Sequence, residues 1–432
     1  MKSAYIVPTR LREGPQMKLT NKSVSKLEAP AKGYALHYDS TLPGFGLRIT
    51  HTGIKAYIAE ARVRGKTRRV TIGRHGTVTA DEARKLARTK LAEMSAGTDP
   101  AAERKRQRAE EVTLEEVATD YKANRRTSAG LPLKASTKKD IDKHLSATFK
   151  DWKKKPIASI TRDMVARLYA DRCKKSVAQA NQAMRVLRAL VNYAAAKYRD
   201  GDDRPVITEN PVKVLRDASM LRAVKPKSSM VPLDQIGRWW SAVQAQRTDP
   251  AQTRASIAAA DLVALLTLTG LRIGEARSLK WEQIDLDGRS LALTDTKNRT
   301  DVTLPLSEAA ASVLESRPDR SGWVFPARSG TGHLKECRGQ LQALTEQTEI
   351  EVTPHDLRRT FRAVAAACNV ELWRTKALMN HKQNQDITLS AYTDLSDVRN
   401  LKPEADRIGE YFEKQRAIFE ADNVVSLEER RA

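Results

Sequence analysis

Apolar residues alternate with polar ones, in part, over only two stretches of this chain, residues 44–72 and the region near 290–305. Almost everywhere else they recur at three- and four-residue spacing. A period of two lines one face of a sheet, and a period near 3.6 lines one face of a helix. The pattern therefore predicts a multidomain α+β protein. Its parts are a small antiparallel sheet with a helix at the N-terminal end, an all-α middle, and a mainly α C-terminal domain with a small β-hairpin or sheet. At 432 residues the chain is too long for one small core, which fits several domains.

Boundaries follow from breaks in that pattern. Strands are expected at Gly44–Thr50, Lys55–Ala59 and Thr67–Ile72, with Gly53 and Gly65 at the turns. Thr79 and Glu82 are spaced as a capping box ahead of a helix through Leu91. The first domain is thus set at 1–98. Residues 99–111 are charged, carry no apolar side chain larger than alanine, and are expected to be a linker. Residues 112–216 form the helical domain. Leu114, Val117, Ala118 and Tyr121 share one helix face, and Met184, Leu187, Leu190, Val191 and Ala194 another. A second linker, 217–230, leads into a domain over 231–402. In the tail, 403–432, Ile408, Tyr411, Phe412, Ile418 and Phe419 fall roughly on one helical face. That face must bury itself on its own domain or on a neighbouring copy.

Charge divides the chain more sharply than hydropathy does. Of 76 Lys+Arg and 53 Asp+Glu, residues 1–222 hold 47 and 24, so the whole net charge of +23 lies in the first half. Such a surplus fits a polyanion-gripping surface. Arg62, Arg64, Lys66, Arg68, Arg69 and Arg74 cluster on one hairpin and its exit, and Lys138, Lys139, Lys174 and Lys175 stud the helical domain. These are candidate DNA contacts, although a solvated charged face reads the same way in the hairpin. Three widely spaced cysteines suggest neither a disulfide framework nor a thiolate zinc site. The first residues contain no apolar core of a signal peptide and no stretch is long enough to span a bilayer, so a cytoplasmic, membrane-free protein is expected.

The neutral half carries an ordered set of polar residues. Arg272 follows a glycine break in TGLRIGE, at the start of a helix expected to run to about Leu279; Lys297 lies in the turn TKNR between two strands. His355 and Arg358 sit three apart in TPHDLRRT, His381 ends LMNH, and Tyr392 lies in AYT. With these residues the chain resembles the tyrosine recombinase family, phage integrases in particular, over roughly 112–400. The stretch at about 17–95, with GFGLRITHTGIKAY and TIGRHG, is similar to the arm-binding domain of prophage and island integrases. Asn380 stands where many members have glycine, and asparagine is the next residue most at ease in a left-handed turn.

The resemblance implies that Arg272, Arg358 and His381 hold a scissile phosphate that Tyr392 attacks, the 1–98 domain reading arm sites and the 112–216 domain clamping core sites. The chemistry of the residues agrees. Guanidinium groups match the non-bridging oxygens bidentately. A phenol, with a pKa of about 10, needs a base as it attacks, for which His355 is the better candidate. Lys297 on a hairpin tip suits protonation of the departing 5′-oxygen, and Glu275, three residues from Arg272, suits orientation of the arginines. No metal, ATP or other cofactor is required, and the Gly65–Lys66–Thr67 run is not a phosphate-binding loop because residue 60 is glutamate.

The function so implied is site-specific recombination through a 3′-phosphotyrosine and a Holliday junction, integrating and helping excise a prophage or genomic island in a bacterial cell. Its partners would be double-stranded DNA at core and arm sites, a homotetramer on that DNA, a DNA-bending accessory protein and an excisionase. Rival readings are a type IB topoisomerase-like enzyme, a non-catalytic DNA-binding regulator and a metal-dependent transposase, the last lacking a spaced carboxylate triad.

Overall fold

The computed structural model describes residues 16–294, 301–381 and 398–429. They divide into two compact units, Met1–Lys225 and Pro226–Ala432.

The first unit opens with a five-stranded sheet: β1 (Gln16–Met17), β2 (Tyr34–Asp39), β3 (Phe45–Thr50), β4 (Lys55–Val63) and β5 (Lys66–Arg74). β1 runs parallel to β2 and the other pairs are antiparallel. Sequence alternation reveals β3, β4 and β5 but not β1 or β2. β2 has no clean alternation of its own and is held by its register with β3, Tyr34 opposite Thr50 and Tyr38 opposite Gly46. The expected capping box is present: Thr79 caps Ala80–Ser95, and Glu82 accepts from the Thr79 N–H at 2.9 Å. This helix lays Ala83 and Ala87 on Phe45, Leu47, Ile49 and Tyr57, all buried. Asp39 joins the layers by accepting from the Leu19 N–H and from Arg84. Burial alone would raise its pKa, but the bonds from Arg84, Thr41 and Leu19 bring it down to about 2.

The expected linker at 99–111 is a helix, Pro100–Glu111, so it is a shaped connector instead of a slack one. Asp99 caps it, proline occupies the first turn, and Arg106 pairs with Glu110 one turn on. Helices Leu114–Asn124, Ala135–Ala147, Arg162–Lys175 and Val177–Lys197 then build a core of their own. Both predicted faces point into it. Leu114, Val117, Ala118, Met184, Leu187, Leu190, Val191 and Ala194 are all buried, and Tyr121 is partly so.

The second unit centres on helix Arg254–Thr269, buried from Ala258 onward. Around it lie helices Ile236–Thr248, Glu308–Glu315, Arg338–Thr348, Pro354–Ala367 and Leu372–Leu378. A three-stranded antiparallel sheet joins them: β6 (Ile284–Asp285), β7 (Ser290–Leu293) and β8 (Val302–Pro305). The helix expected from Arg272 to near Leu279 is a single turn, Ile273–Ala276.

The tail is part of this unit. Helix Lys402–Glu429 packs along Ile236–Thr248, with Ile408 and Phe412 fully buried and the Phe412 ring 5.6 Å from that of Trp240. Trp240 Nε1 donates to Glu413, Ser241 to Glu420, and Arg289 pairs with Asp406. Of the face expected from the sequence, Ile418 instead stays 46% exposed. The helices approach closely at Gly237, where a Cβ would lie 2.3 Å from the Gln415 carbonyl oxygen.

Candidate active site

Arg272 and Arg358 are brought together by the ends of two helices. Helix Arg254–Thr269 stops at Gly270, whose left-handed backbone (φ +60°) turns the chain so that Arg272 enters the next helical turn. No side chain fits at Gly270, because a Cβ would lie 2.7 Å from the Phe361 ring. Arg272 Nη1 donates to Glu275 Oε1 at 2.9 Å, and Glu275 also accepts from the Arg272 backbone N–H. Arg272 and Glu275 therefore form an ion pair within this turn.

Arg358 sits in the first turns of Pro354–Ala367, opened by Thr353 and Asp356 as a capping box with proline behind the cap. Asp356 is itself buried and pairs with Arg359. Arg358 is 3% exposed. Its Nη1 donates to the Gly270 carbonyl and its Nη2 to the Met379 carbonyl, each at 2.6 Å. Arg272 Nη2 donates to the Asn380 carbonyl at 3.2 Å. Two consecutive carbonyls thus hold the two guanidinium groups. They can do so because Asn380 takes a left-handed conformation (φ +47°) as helix Leu372–Leu378 ends. Asparagine at this position keeps the backbone geometry that glycine would give.

Burial, followed by the nearby Arg272 charge, lowers the Arg358 pKa to about 10, with Glu275 acting in the opposite direction. Arg358 is still charged at neutral pH. A guanidinium carries five N–H donors, and the bonds described engage two on each arginine. The remainder can meet an anion.

His381 lies at the surface beside this pair. Desolvation of its ring, then the charges of Arg358, Arg272, Arg362 and Lys376, lower its pKa. His355 is exposed on the helix of Arg358, three residues earlier. The structure therefore groups Arg272, Glu275, Arg358 and His381, with His355 on a shared helix. Lys297 and Tyr392 lie outside the described residues. Sequence reading overlooked Arg362 and Lys376, both exposed. Arg362 was legible in principle, being one helical turn beyond Arg358.

The arginine hairpin is more engaged than its sequence suggests. Arg64 pairs with Asp202 at 2.7 Å, Arg68 with Asp99 at 2.6 Å and Arg69 with the buried Glu60 at 2.5 Å, while Arg62 donates to the Gly65 carbonyl. Lys66 and Arg74 are exposed. In the helical domain Lys139, Lys174 and Lys175 are exposed, Lys138 is half-buried, and Lys174 lies 3.7 Å from Asp171. Among the described residues no group of three or more His, Cys, Asp or Glu could hold a metal ion, and no helix is long and apolar enough to cross a membrane.

Residues 234–399 match the phage integrase family, and residues 19–107 match an arm DNA-binding domain. The chain is 25% identical to the prophage integrase IntF of Escherichia coli over 422 residues, covering 88% of each protein. It is 26% identical to the prophage integrase IntZ of the same species over 325 residues, covering 72% of this chain and 75% of IntZ. A crystal structure of a lambda integrase dimer bound to a COC′ core site aligns with 83% of this chain and 96% of that one, at 17% identity and a TM-score of 0.46. The first two matches span both halves of the molecule, and the chain belongs to the tyrosine recombinase family, with an arm-type DNA-binding domain ahead of its recombinase half.

Proposed function

We propose that this site-specific recombinase is an integrase that cleaves attachment-site DNA with Tyr392 and rejoins it to a new partner strand, moving a prophage or genomic island into and out of a chromosome. The observation that carries this reading is the pair Arg272 and Arg358, pinned from behind by the carbonyls of Gly270, Met379 and Asn380 with donors left over. Fixed guanidinium groups stabilise the charge that grows on the non-bridging oxygens as a phosphodiester is attacked, and they need no rearrangement to do so. His381 adds an N–H donor. His355 is the proposed base for the tyrosine proton, Lys297 the proposed acid for the 5′-oxygen, and Glu275 holds Arg272. The phosphotyrosine keeps the energy of the broken bond, so rejoining needs no nucleotide. Four subunits on paired core sites, with arm sites bound by the N-terminal domain, are the assembly this role calls for. A bacterial cytoplasm is the compartment it calls for, and a DNA-bending protein and an excisionase are proposed to set direction.

The test is a nicked suicide substrate carrying the attachment core. Tyr392→Phe removes one hydroxyl, so DNA binding should persist while the covalent adduct disappears. An adduct that survives in this variant sinks the assignment. Exchange is tested separately with a synthetic Holliday junction. Resolution into recombinant duplexes is expected, and relaxation of supercoils without resolution would favour the topoisomerase-like reading.

A further inference from the structure

A second cationic cavity lies at the opposite end of helix Arg254–Thr269 from Arg272, and the proposed recombination chemistry makes no use of it. The helix has 16 residues, which separates its ends by roughly 24 Å at 1.5 Å per residue. The cavity encloses about 660 Å³. At its base Asp261 is 2% exposed and accepts from two arginines: Arg247 Nε at 2.7 Å and Arg317 Nη1 at 3.1 Å. Arg317 is itself only 9% exposed. Arg247 also donates to Gln244 and Ser316, and the Arg317 guanidinium lies 5.9 Å from the centre of the Phe325 ring, yet two guanidinium charges share one carboxylate, so the cluster keeps an excess of one positive charge that an anion would balance. Arg317 Nε is buried and, among the described residues, has no hydrogen-bond partner.

The mouth reinforces the sign. Arg254 and Arg328 line it and are exposed, against the single carboxylate of Asp319. Residues of the first two turns of the helix also line it, so the cavity lies beside the positive end of the helix dipole. Ile257, Ala258, Pro318 and Pro326 give the wall an apolar part, beside the hydroxyl side chains of Thr248, Thr253 and Ser316.

We infer that this cavity is an anion site for a small organic phosphate of mononucleotide size. The phosphate answers the unbalanced Arg247–Asp261–Arg317 cluster, and an apolar or flat body covers the proline and isoleucine wall. The volume suits such a ligand, since small-molecule sites run from about 300 to 1,000 Å³, whereas inorganic phosphate would leave most of it empty. A duplex carries its phosphates on too broad a surface to follow Arg317 inward. The inference is independent of recombination, because none of these residues belongs to the site around Arg272.

Calorimetric titration of the full-length, DNA-free protein with AMP, adenosine and inorganic phosphate tests it. AMP is expected to bind with a Kd of about 1 mM or tighter, and adenosine and inorganic phosphate each about tenfold more weakly. Arg254→Gln and Arg328→Gln, at the exposed mouth, should each weaken AMP by about tenfold while suicide-substrate cleavage stays at the wild-type level. They keep the test decisive if Arg317→Met fails to fold. Arg272→Gln should leave AMP binding intact. Binding that Arg272→Gln abolishes and the mouth variants spare would mean that AMP occupies the recombinase site, and the inference falls. It falls equally if no AMP heat appears, or if AMP and adenosine bind alike.

Discussion

At the scale of single residues, the site gathers positive charge beyond its two arginines. Arg362 and Lys376 join Arg358 and Arg272 in lowering the His381 pKa, after desolvation. The sign of a variant follows directly. Removing a nearby cation relieves repulsion against the imidazolium, so the pKa must rise. Arg362→Gln should therefore move the His381 midpoint upward, from a value below the ordinary 6.5 of histidine toward it. NMR titration of the DNA-free protein, with the resonance assigned by its loss in His381→Gln, measures this. An unchanged midpoint would mean that Arg362 does not face the histidine. The same charge crowding explains why backbone carbonyls are the groups that hold Arg358. A carboxylate in their place would neutralise the guanidinium, whereas a carbonyl fixes it and leaves its charge for the proposed phosphate.

At the scale of elements, two contacts decide what the sequence left open. The first is the crossing of Ile236–Thr248 with Lys402–Glu429 at Gly237. Alanine there improves helix propensity by about 1 kcal/mol, yet its methyl would press on the Gln415 backbone and force the helices apart at about 1–3 kcal/mol. Gly237→Ala should therefore be neutral to about 2 kcal/mol destabilising in denaturant unfolding followed by tryptophan fluorescence, Trp239 and Trp240 being the adjacent probes. Clear stabilisation would show that the helices do not approach so closely. The second contact is the arginine hairpin. Arg74 is exposed and Arg69 is tied to buried Glu60, so the two substitutions should differ in kind. Arg74→Ala should lower arm-DNA affinity and flatten the salt dependence by about one unit per lost phosphate contact. Arg69→Ala removes the cation from buried Glu60, which keeps the Tyr38 hydroxyl at 3.1 Å, and should lower the melting temperature of the first unit. Anisotropy titrations across salt, paired with calorimetry, separate these outcomes, and an unaltered salt slope for Arg74→Ala would favour a solvated face.

Across the whole molecule, the charge surplus and the proposed catalytic residues occupy different units. The half that holds the surplus ends near residue 222, and the compact unit boundary falls at Lys225. The second unit, neutral in balance, is completed by its own tail. Ile408 and Phe412 are fully buried there, each contributing about 1.5–3 kcal/mol by leaving water. Truncation after Pro403 should accordingly lower the melting temperature of the isolated monomer and expose Trp240 to solvent, read as a red shift in fluorescence. If melting is unaffected and only the tetramer on native gels is lost, the helix docks on a neighbouring subunit instead.

What the sequence alone determined is short-range. The Thr79–Glu82 cap, the two apolar faces of the helical domain and the three-residue spacings of Arg272 with Glu275 and of His355 with Arg358 each lie within a few turns of backbone, where spacing carries the information. The tertiary structure decided what depends on partners far apart in the chain. β2 shows no alternation and exists through its pairing with β3. Arg358 is held by a carbonyl 88 residues away, and Arg272 by one 108 residues away. Nothing local to Asp261 foretells that it will bury itself between Arg247 and Arg317, and nothing in the tail says which surface its apolar face will meet. Periodicity states which side of a helix is buried. Only packing states against what, because burial rewards any apolar surface alike and the choice among surfaces is made by shape and by the hydrogen bonds that must be satisfied once water is gone.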